Sequence, residues 1–324
     1  RYYLAISFGG ALGGLVVALL CPLVFTDYFE LPLLSLTIFT LALAAVVGRV
    51  LWRRSTLLRV AAVHIGAAAV LLVGRAELRP LWVQNHGTLA TRTFHGVLRV
   101  VQGADGDDGA RFVALYHGGT LHGVQYTDAE RRREPTTYYS RDSGAGIAIE
   151  TMGRHKSGLR VGVIGLGIGT LATYQRPDDV CRFYELDDAV ERLARSHFDF
   201  LESAQGETHV EIGDGRLLLE HAVPQRFDLL LIDAFSGDSV PAHLLTREAF
   251  LVYLRHVVDD GVIGVHVSNR HLRISRVALG AARELGLAAA EVSTYDGEKE
   301  GTAGSDWVLL SRREEVLGSF PTAI

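Results

Sequence analysis

The chain has 324 residues, 48% of them hydrophobic and 21% charged, which is too apolar for a disordered polymer and too long for one minimal domain. Its net charge of −5 is unevenly shared: the first 83 residues hold seven arginines against three acids, leaving −9 on the rest, a balance that argues against a nucleic-acid partner. Two cysteines, Cys21 and Cys181, are too few for a disulfide scaffold or a paired-cysteine zinc site.

The first elements are apolar. Leu4–Phe25 runs 22 residues without a charge and Leu31–Gly48 another 18, enough or nearly enough to cross ~30 Å of hydrocarbon, so both are expected to span a membrane. Gly9, Gly10, Gly13 and Gly14 stand at the spacing that lets another helix approach closely. The third run, Val60–Gly74, has only 15 uncharged residues between Arg59 and Arg75, and as a helix covers only ~22 Å. The arginine-rich stretch Arg49–Arg59 is expected on the cytoplasmic side and the acidic turn Thr26–Glu30 outside, so a third full crossing would put the rest of the chain outside. We therefore expect Val60–Gly74 to be a partial or interfacial segment, or the arginine signal to be overridden. Trp52 and Trp82 read as interfacial anchors.

Residues 1–83 thus form a transmembrane part, 84–150 a small β-sheet module and 151–324 an α/β domain. In the module, Phe94–Val101, Ala110–Tyr116 and Leu121–Tyr126 alternate between glycine-rich turns. From Leu159 buried strands alternate with helices: Val161–Gly165, Cys181–Leu186, His209–Ile212, Asp228–Asp233 and Val262–Ser268, with helices near Asp188–Phe200, Thr246–Val258 and Leu272–Leu285. That alternation predicts a doubly wound parallel sheet, closed by an antiparallel pair at Ala289–Thr294 and Trp307–Ser311.

The chemistry gathers at strand ends. Gly165, Gly167 and Gly169 follow the first buried strand and are expected to open a helix ended by Pro177, a place where backbone can approach a nucleoside cofactor. Thr170 follows where nicotinamide-binding loops place another glycine or alanine. Glu185, twenty residues on at the end of the second strand, can accept both ribose hydroxyls, and Asp187 follows it. Asp214 ends the third strand, where a carboxylate can receive an adenine amino group. Asp233 ends the fourth and is followed by a Gly- and Pro-containing loop, the placement of a general base under a lid. The histidines His117, His122, His243, His266 and His271 lack paired metal spacing and read as capping or packing residues; no metal is expected.

In order and spacing, Leu121-His122-Gly123-Val124-Gln125, Tyr138-Tyr139, Val163–Gly169, Phe183–Asp187, Gly213-Asp214-Gly215 and Phe227–Ala234 resemble the spermidine synthase (aminopropyltransferase) family, more narrowly its bacterial branch fused behind membrane helices. The resemblance covers about residues 94–311 and implies a Rossmann-like, seven-stranded S-adenosyl-binding sheet. It implies that Gln125 and Glu185 contact the nucleoside, Asp214 the adenine, and that Asp233 deprotonates the attacking amine. Tyr139 would orient that amine, with Tyr138 and, less closely matched, Tyr295 also facing the acceptor. Two departures stand out: the family's glycine-loop aspartate is Ile168 here, and its second acid after the base is Ser236. Both would hold ammonium groups, whose desolvation without an anionic partner costs several kcal/mol. Their loss argues against putrescine unless Asp238 restores a charge.

The expected function is therefore a membrane-bound transferase using S-adenosylmethionine or its decarboxylated form, without metal, on an amine or a lipid-borne amine or hydroxyl. The catalytic domain is expected to face the cytosol from an inner membrane, with no nucleic-acid partner and with room for a homodimer. A methyltransferase on the same fold and a non-catalytic polyamine- or nucleoside-binding membrane protein are the alternatives.

Overall fold

The computed structural model describes residues 1–51, 60, 63–70, 72–74, 88–105, 110–235, 240–269, 271–295 and 301–320. Trp52, Trp82, Ser236 and Asp238 lie outside the described residues, as does most of the stretch Arg49–Arg59. Two compact units divide the chain at Arg99/Val100.

In the first unit the helix Tyr2–Val24 has a mean hydropathy of 2.2 over its most apolar stretch and leaves nearly all its side chains exposed, Cys21 excepted. Its ladder widens to a π-turn at Val16–Leu20, just before Pro22, which cannot donate a backbone hydrogen bond. Of the described helices it alone is long and apolar enough to cross a membrane by the same measure; the apolar part of the helix Glu30–Leu51 is the shorter stretch Glu30–Ala45. Residues 63–70 and 72–74 are helical and pack on the preceding helix. A Cβ on Gly66 would touch Leu43 and one on Gly74 would touch Leu36, so this segment runs back antiparallel along Glu30–Leu51. The missing glycine side chains are what permit the close approach.

Two buried ion pairs tie the first strands to the turn between the helices. Arg92, in β1 (Thr88–Thr93), grips Glu30 with two bonds of 2.7 Å, and Arg99, in β2 (Gly96–Asp105), reaches both oxygens of Asp27 at 2.7 Å. All four side chains are nearly sequestered, so removing either arginine would strand a buried carboxylate.

The strands β1 to β4 form one sheet in chain order, with β3 at Ala110–His117 and β4 at Thr120–Tyr126. The second sheet has seven strands in the order β10-β11-β9-β8-β5-β6-β7. Its members are β5 Arg160–Ile164, β6 Val180–Glu185, β7 Glu207–Ile212, β8 Phe227–Ile232, β9 Val257–His266, β10 Ala288–Thr294 and β11 Ser305–Ser311. Strands β5 to β9 are parallel; β11 runs antiparallel to both β9 and β10. The expected α/β architecture and its closing antiparallel pair are thus present.

Every side chain of β8 is buried, as a central strand covered on both faces requires. The helices carry their sequence-coded caps: Ser143 for Gly144–His155, Asp187 for Asp188–His197, Asp214 for Gly215–His221 and Thr246 for Arg247–His256. Gly286, at φ +68°, ends Ser275–Leu285. One expectation fails: the glycine loop opens a single 3₁₀ turn, Thr170–Tyr174, in place of an α-helix. Gly169 enters this turn left-handed at φ +83°, and Tyr174 ends it by bonding outward to the Tyr139 carbonyl at 2.6 Å.

Candidate active site

Chain order reverses between β5 and β8, and this is where an open parallel sheet leaves a crevice at its carboxyl edge. The two strand ends are bonded there, Asp233 N–H to the Ile164 carbonyl at 2.8 Å. Gly165 then turns away at φ +107°, and a Cβ on it would stand 2.3 Å from the Asp233 carbonyl oxygen. Gly167, at φ +56°, faces the His122 carbonyl at 2.9 Å from its virtual Cβ. Both close approaches demand glycine. These glycines therefore let the loop lie directly against the end of β8 and against β4.

Around this crevice stand the acids read from the sequence. Glu185, at the end of β6, accepts from Leu166 N–H at 3.0 Å and Asp187 N–H at 2.9 Å, which fixes the glycine loop to the next strand. Burial pushes its carboxyl up to about 7, against the opposing pull of the backbone N–H bonds from Asp187 and Leu166. Asp214 caps its helix through Leu217 N–H at 3.0 Å and meets His243 Nε2 at 2.8 Å with its other oxygen. Asp187 is spent as a buried N-cap on Ala189 N–H at 3.0 Å. An ionised carboxylate has about four acceptor sites, so Glu185 and Asp214 keep spare capacity. Gln125, in β4, has both ends occupied: its nitrogen donates to the Arg132 carbonyl and its oxygen accepts from Asp199 N–H, each at 2.9 Å.

Asp233 is buried, and both of its oxygens have partners. The Tyr139 hydroxyl donates to Oδ2, and His266, at the end of β9, meets Oδ1 through Nδ1 at 2.6 Å. Tyr138 and Tyr139 arrive from a loop held by Thr137, a left-handed residue at φ 56° whose N–H donates to the Gly301 carbonyl at 2.7 Å. Burial, and then the Asp233 charge, hold both phenols well above the ordinary tyrosine value, so each stays a hydroxyl donor. The Tyr138 hydroxyl donates to the Leu121 carbonyl at 3.2 Å. Nearby, burial, and then the His117 charge, lower the His122 imidazole to about 4, against the pull of Asp233. Its Nε2 is buried without a hydrogen-bond partner.

Tyr295 is placed differently. It is 70% exposed beyond β10, at the same carboxyl edge but with β11 and β9 between its strand and β8. Ile168 is fully buried, and a Cβ on Gly123 would come within 2.6 Å of it, so this position serves the packing of the loop on β4. His266 and His243, which the sequence marks only as packing or capping residues, hold the two carboxylates Asp233 and Asp214. A histidine within an apolar strand gives no periodic signal of the acid it will meet.

No protein-family model matches the chain. Over 115 residues it is 34% identical to a polyamine aminopropyltransferase of Vibrio vulnificus, a match spanning 34% of this chain and 37% of that relative. A probable spermidine synthase from Corynebacterium glutamicum superposes with TM-score 0.53 at 19% identity, covering 66% of this chain and 76% of that one. A spermidine synthase from Thermotoga maritima gives a TM-score of 0.47 at 17% identity, with coverages of 69% and 72%. The chain therefore has the spermidine synthase fold, and the resemblance to aminopropyltransferases read from its motifs is borne out.

The raised Glu185 carboxyl predicts a pH signature. Its value in the fold lies above the ordinary 4.5, so the stability it contributes is full below that pH and is lost as pH rises through about 7. Between pH 5 and pH 8, thermal melts should shift the stability difference in favour of Glu185→Gln over the parent by about 1–3 kcal/mol. A difference independent of pH would contradict a desolvated Glu185.

Proposed function

We propose that this protein transfers a group, most consistently an aminopropyl unit, from an S-adenosyl-type donor to an amine or a lipid-borne nucleophile. The observation that carries this reading is Asp233: a buried carboxylate at the topological switch point, beside the glycine cradle, aligned by a tyrosine hydroxyl. Glu185 would take the ribose hydroxyls and Asp214 the adenine amino group, while the glycine loop would lie along the sulfonium side of the donor. The donor supplies the leaving group, since its sulfonium carbon is already activated. Asp233 accepts the proton of the attacking nucleophile, and Tyr139 orients that nucleophile through the shared carboxylate. Binding both reactants in one crevice supplies most of the acceleration. Gln125 and Asp187, whose polar atoms serve the fold, would shape the nucleoside site from behind; Tyr138 and Tyr295 would line the acceptor side. Asp238 lies outside the described residues and adds nothing to this argument.

A methyl donor is the second reading, favoured by Ile168: its packing against Gly123 leaves no carboxylate there for a donor ammonium. Product mass separates the two. With S-adenosylmethionine and its decarboxylated form offered in parallel, we expect an aminopropyl gain from the decarboxylated donor. Asp233→Asn should lower turnover ~10²-fold or more while leaving donor affinity nearly unchanged. A methylated product would establish the second reading, and full turnover in Asp233→Asn would move the base elsewhere.

We further propose that the helices Tyr2–Val24 and Glu30–Leu51 anchor the protein in a membrane, as in the membrane-fused branch that the sequence resembles. The Arg92–Glu30 and Arg99–Asp27 pairs then fix the exit of β1 at the Thr26–Glu30 end, opposite the end of Glu30–Leu51 that leads into the arginine-rich stretch. A cytosolic donor bearing a fixed charge does not cross a bilayer, so we place this end in the cytosol, against the arginine bias. Gly119, exposed with open space around it in the β3–β4 turn, is a suitable labelling site because both native cysteines are buried. A Gly119→Cys variant should resist an impermeant thiol reagent on intact cells and react after permeabilisation. Labelling of intact cells would place the domain outside and remove the use of a cytosolic donor.

A further inference from the structure

Beyond the acids and tyrosines of the proposed mechanism, one residue is built into the centre of the site. We propose that His266 is the positioning residue of the general base, donating from Nδ1 to Asp233 Oδ1 and so aiming the other carboxylate oxygen, with Tyr139, at the incoming nucleophile. This rests on the reading of Asp233 as base.

For a neutral imidazole beside an ionised carboxylate, the hydrogen bonds select one tautomer. The Asp306 N–H donates to Ser268 Oγ at 2.8 Å. The Ser268 hydroxyl lies 2.8 Å from His266 Nε2, and His266 Nδ1 lies 2.6 Å from Asp233 Oδ1. An ionised carboxylate only accepts, so Nδ1 carries the hydrogen; in a neutral imidazole Nε2 is then bare and accepts from Ser268. Donation thus runs in one direction, from the backbone of β11 through Ser268 and His266 to Asp233. The Tyr139 hydroxyl donates to the other oxygen, which keeps its second acceptor site.

The ring is also held by packing. It stacks on Trp307 with centroids 4.5 Å apart and planes 3° from parallel, meets Phe235 edge-on at 4.8 Å, and has Tyr138 at 5.2 Å. The His266 and Asp233 side chains are 4% and 3% exposed, so water does not compete for their bond. A carboxylate with two oxygens could otherwise rotate between the nucleophile and the tyrosine; the imidazole removes that freedom before substrate arrives. Misaiming by a fraction of an ångström is costly for proton transfer.

The test uses the full-length protein with His266→Asn, His266→Leu and Ser268→Ala. The Asn amide places an N–H near the position of Nδ1, whereas Leu fills the space without a donor. Donor affinity by calorimetry should stay within about twofold in all three. His266→Leu should lose kcat about 10- to 100-fold, and His266→Asn should recover most of it. Independently of turnover, ¹⁵N-histidine NMR of the parent should show His266 protonated at Nδ1 and bare at Nε2, and Ser268→Ala should shift that Nε2 resonance. Full kcat in His266→Leu, or an Nε2-protonated tautomer in the parent, would overturn the proposal. Equal losses in Leu and Asn, with the melting temperature lowered in both, would also overturn it by making His266 a packing residue alone. If Asp233→Asn kept full turnover the base assignment itself would fall, an outcome distinct from an active His266→Leu beside an inactive Asp233→Asn.

Discussion

The site depends on one junction, the meeting of β5 and β8 at Gly165 and Asp233. A single backbone hydrogen bond of 2.8 Å joins the two strands there, and the space a Cβ would need on Gly165 is taken by the Asp233 carbonyl. Because the chain reverses its winding between these strands, the connection after β5 leads to β6 and the one after β8 to β9, in opposite directions along the edge. The crevice between them is a product of topology. Everything else secures its walls: Glu185 fastens the loop to β6, Thr137 and the Gly301 carbonyl bring in Tyr139, and His266 reaches over from β9.

A second property of the site is that its polar groups are partnered before any substrate arrives. Asp233 has two partners, Glu185 two backbone donors, and Asp214 an N–H and an imidazole. Such preorganisation lowers the reorganisation required at the moment of reaction, and it explains how Asp233 can sit at the end of so apolar a strand as β8. At one of the two departures from the aminopropyltransferase pattern the difference is a packing choice: Ile168 fills space over Gly123 that an acid could occupy only at the cost of desolvation.

Much of this was legible in the sequence because the signals are local. Four strands each followed by a glycine loop or an acid, Val161–Gly165, Cys181–Leu186, His209–Ile212 and Asp228–Asp233, give the parallel part of the sheet and its candidate edge. What escaped depends on partners far apart in the chain. His266 and Asp233 are 33 residues apart, His243 and Asp214 are 29, and nothing in either neighbourhood marks the pairing. The helix Gly144–His155 went unread because its first turn, Gly144-Ala145-Gly146, is a poor helix former that exists to let Trp307 and the Ser140 carbonyl come close. The 3₁₀ turn after the glycine loop ends at Tyr174, whose hydroxyl bonds the Tyr139 carbonyl 35 residues away in the chain. The antiparallel return of residues 63–70 and 72–74 along Glu30–Leu51 likewise brings two glycines against Leu43 and Leu36, contacts that length and hydropathy do not encode.

The central claim is that the carboxyl edge around Gly165 and Asp233 is a nucleoside-thioether site. The most direct measurement is a crystal structure with 5′-methylthioadenosine, the leaving group of aminopropyl transfer. The account predicts both ribose hydroxyls on Glu185, the adenine amino group at Asp214, and the sulfur over the Gly165–Gly169 loop facing Asp233. A nucleoside bound elsewhere, or none bound at saturating concentration, would contradict it.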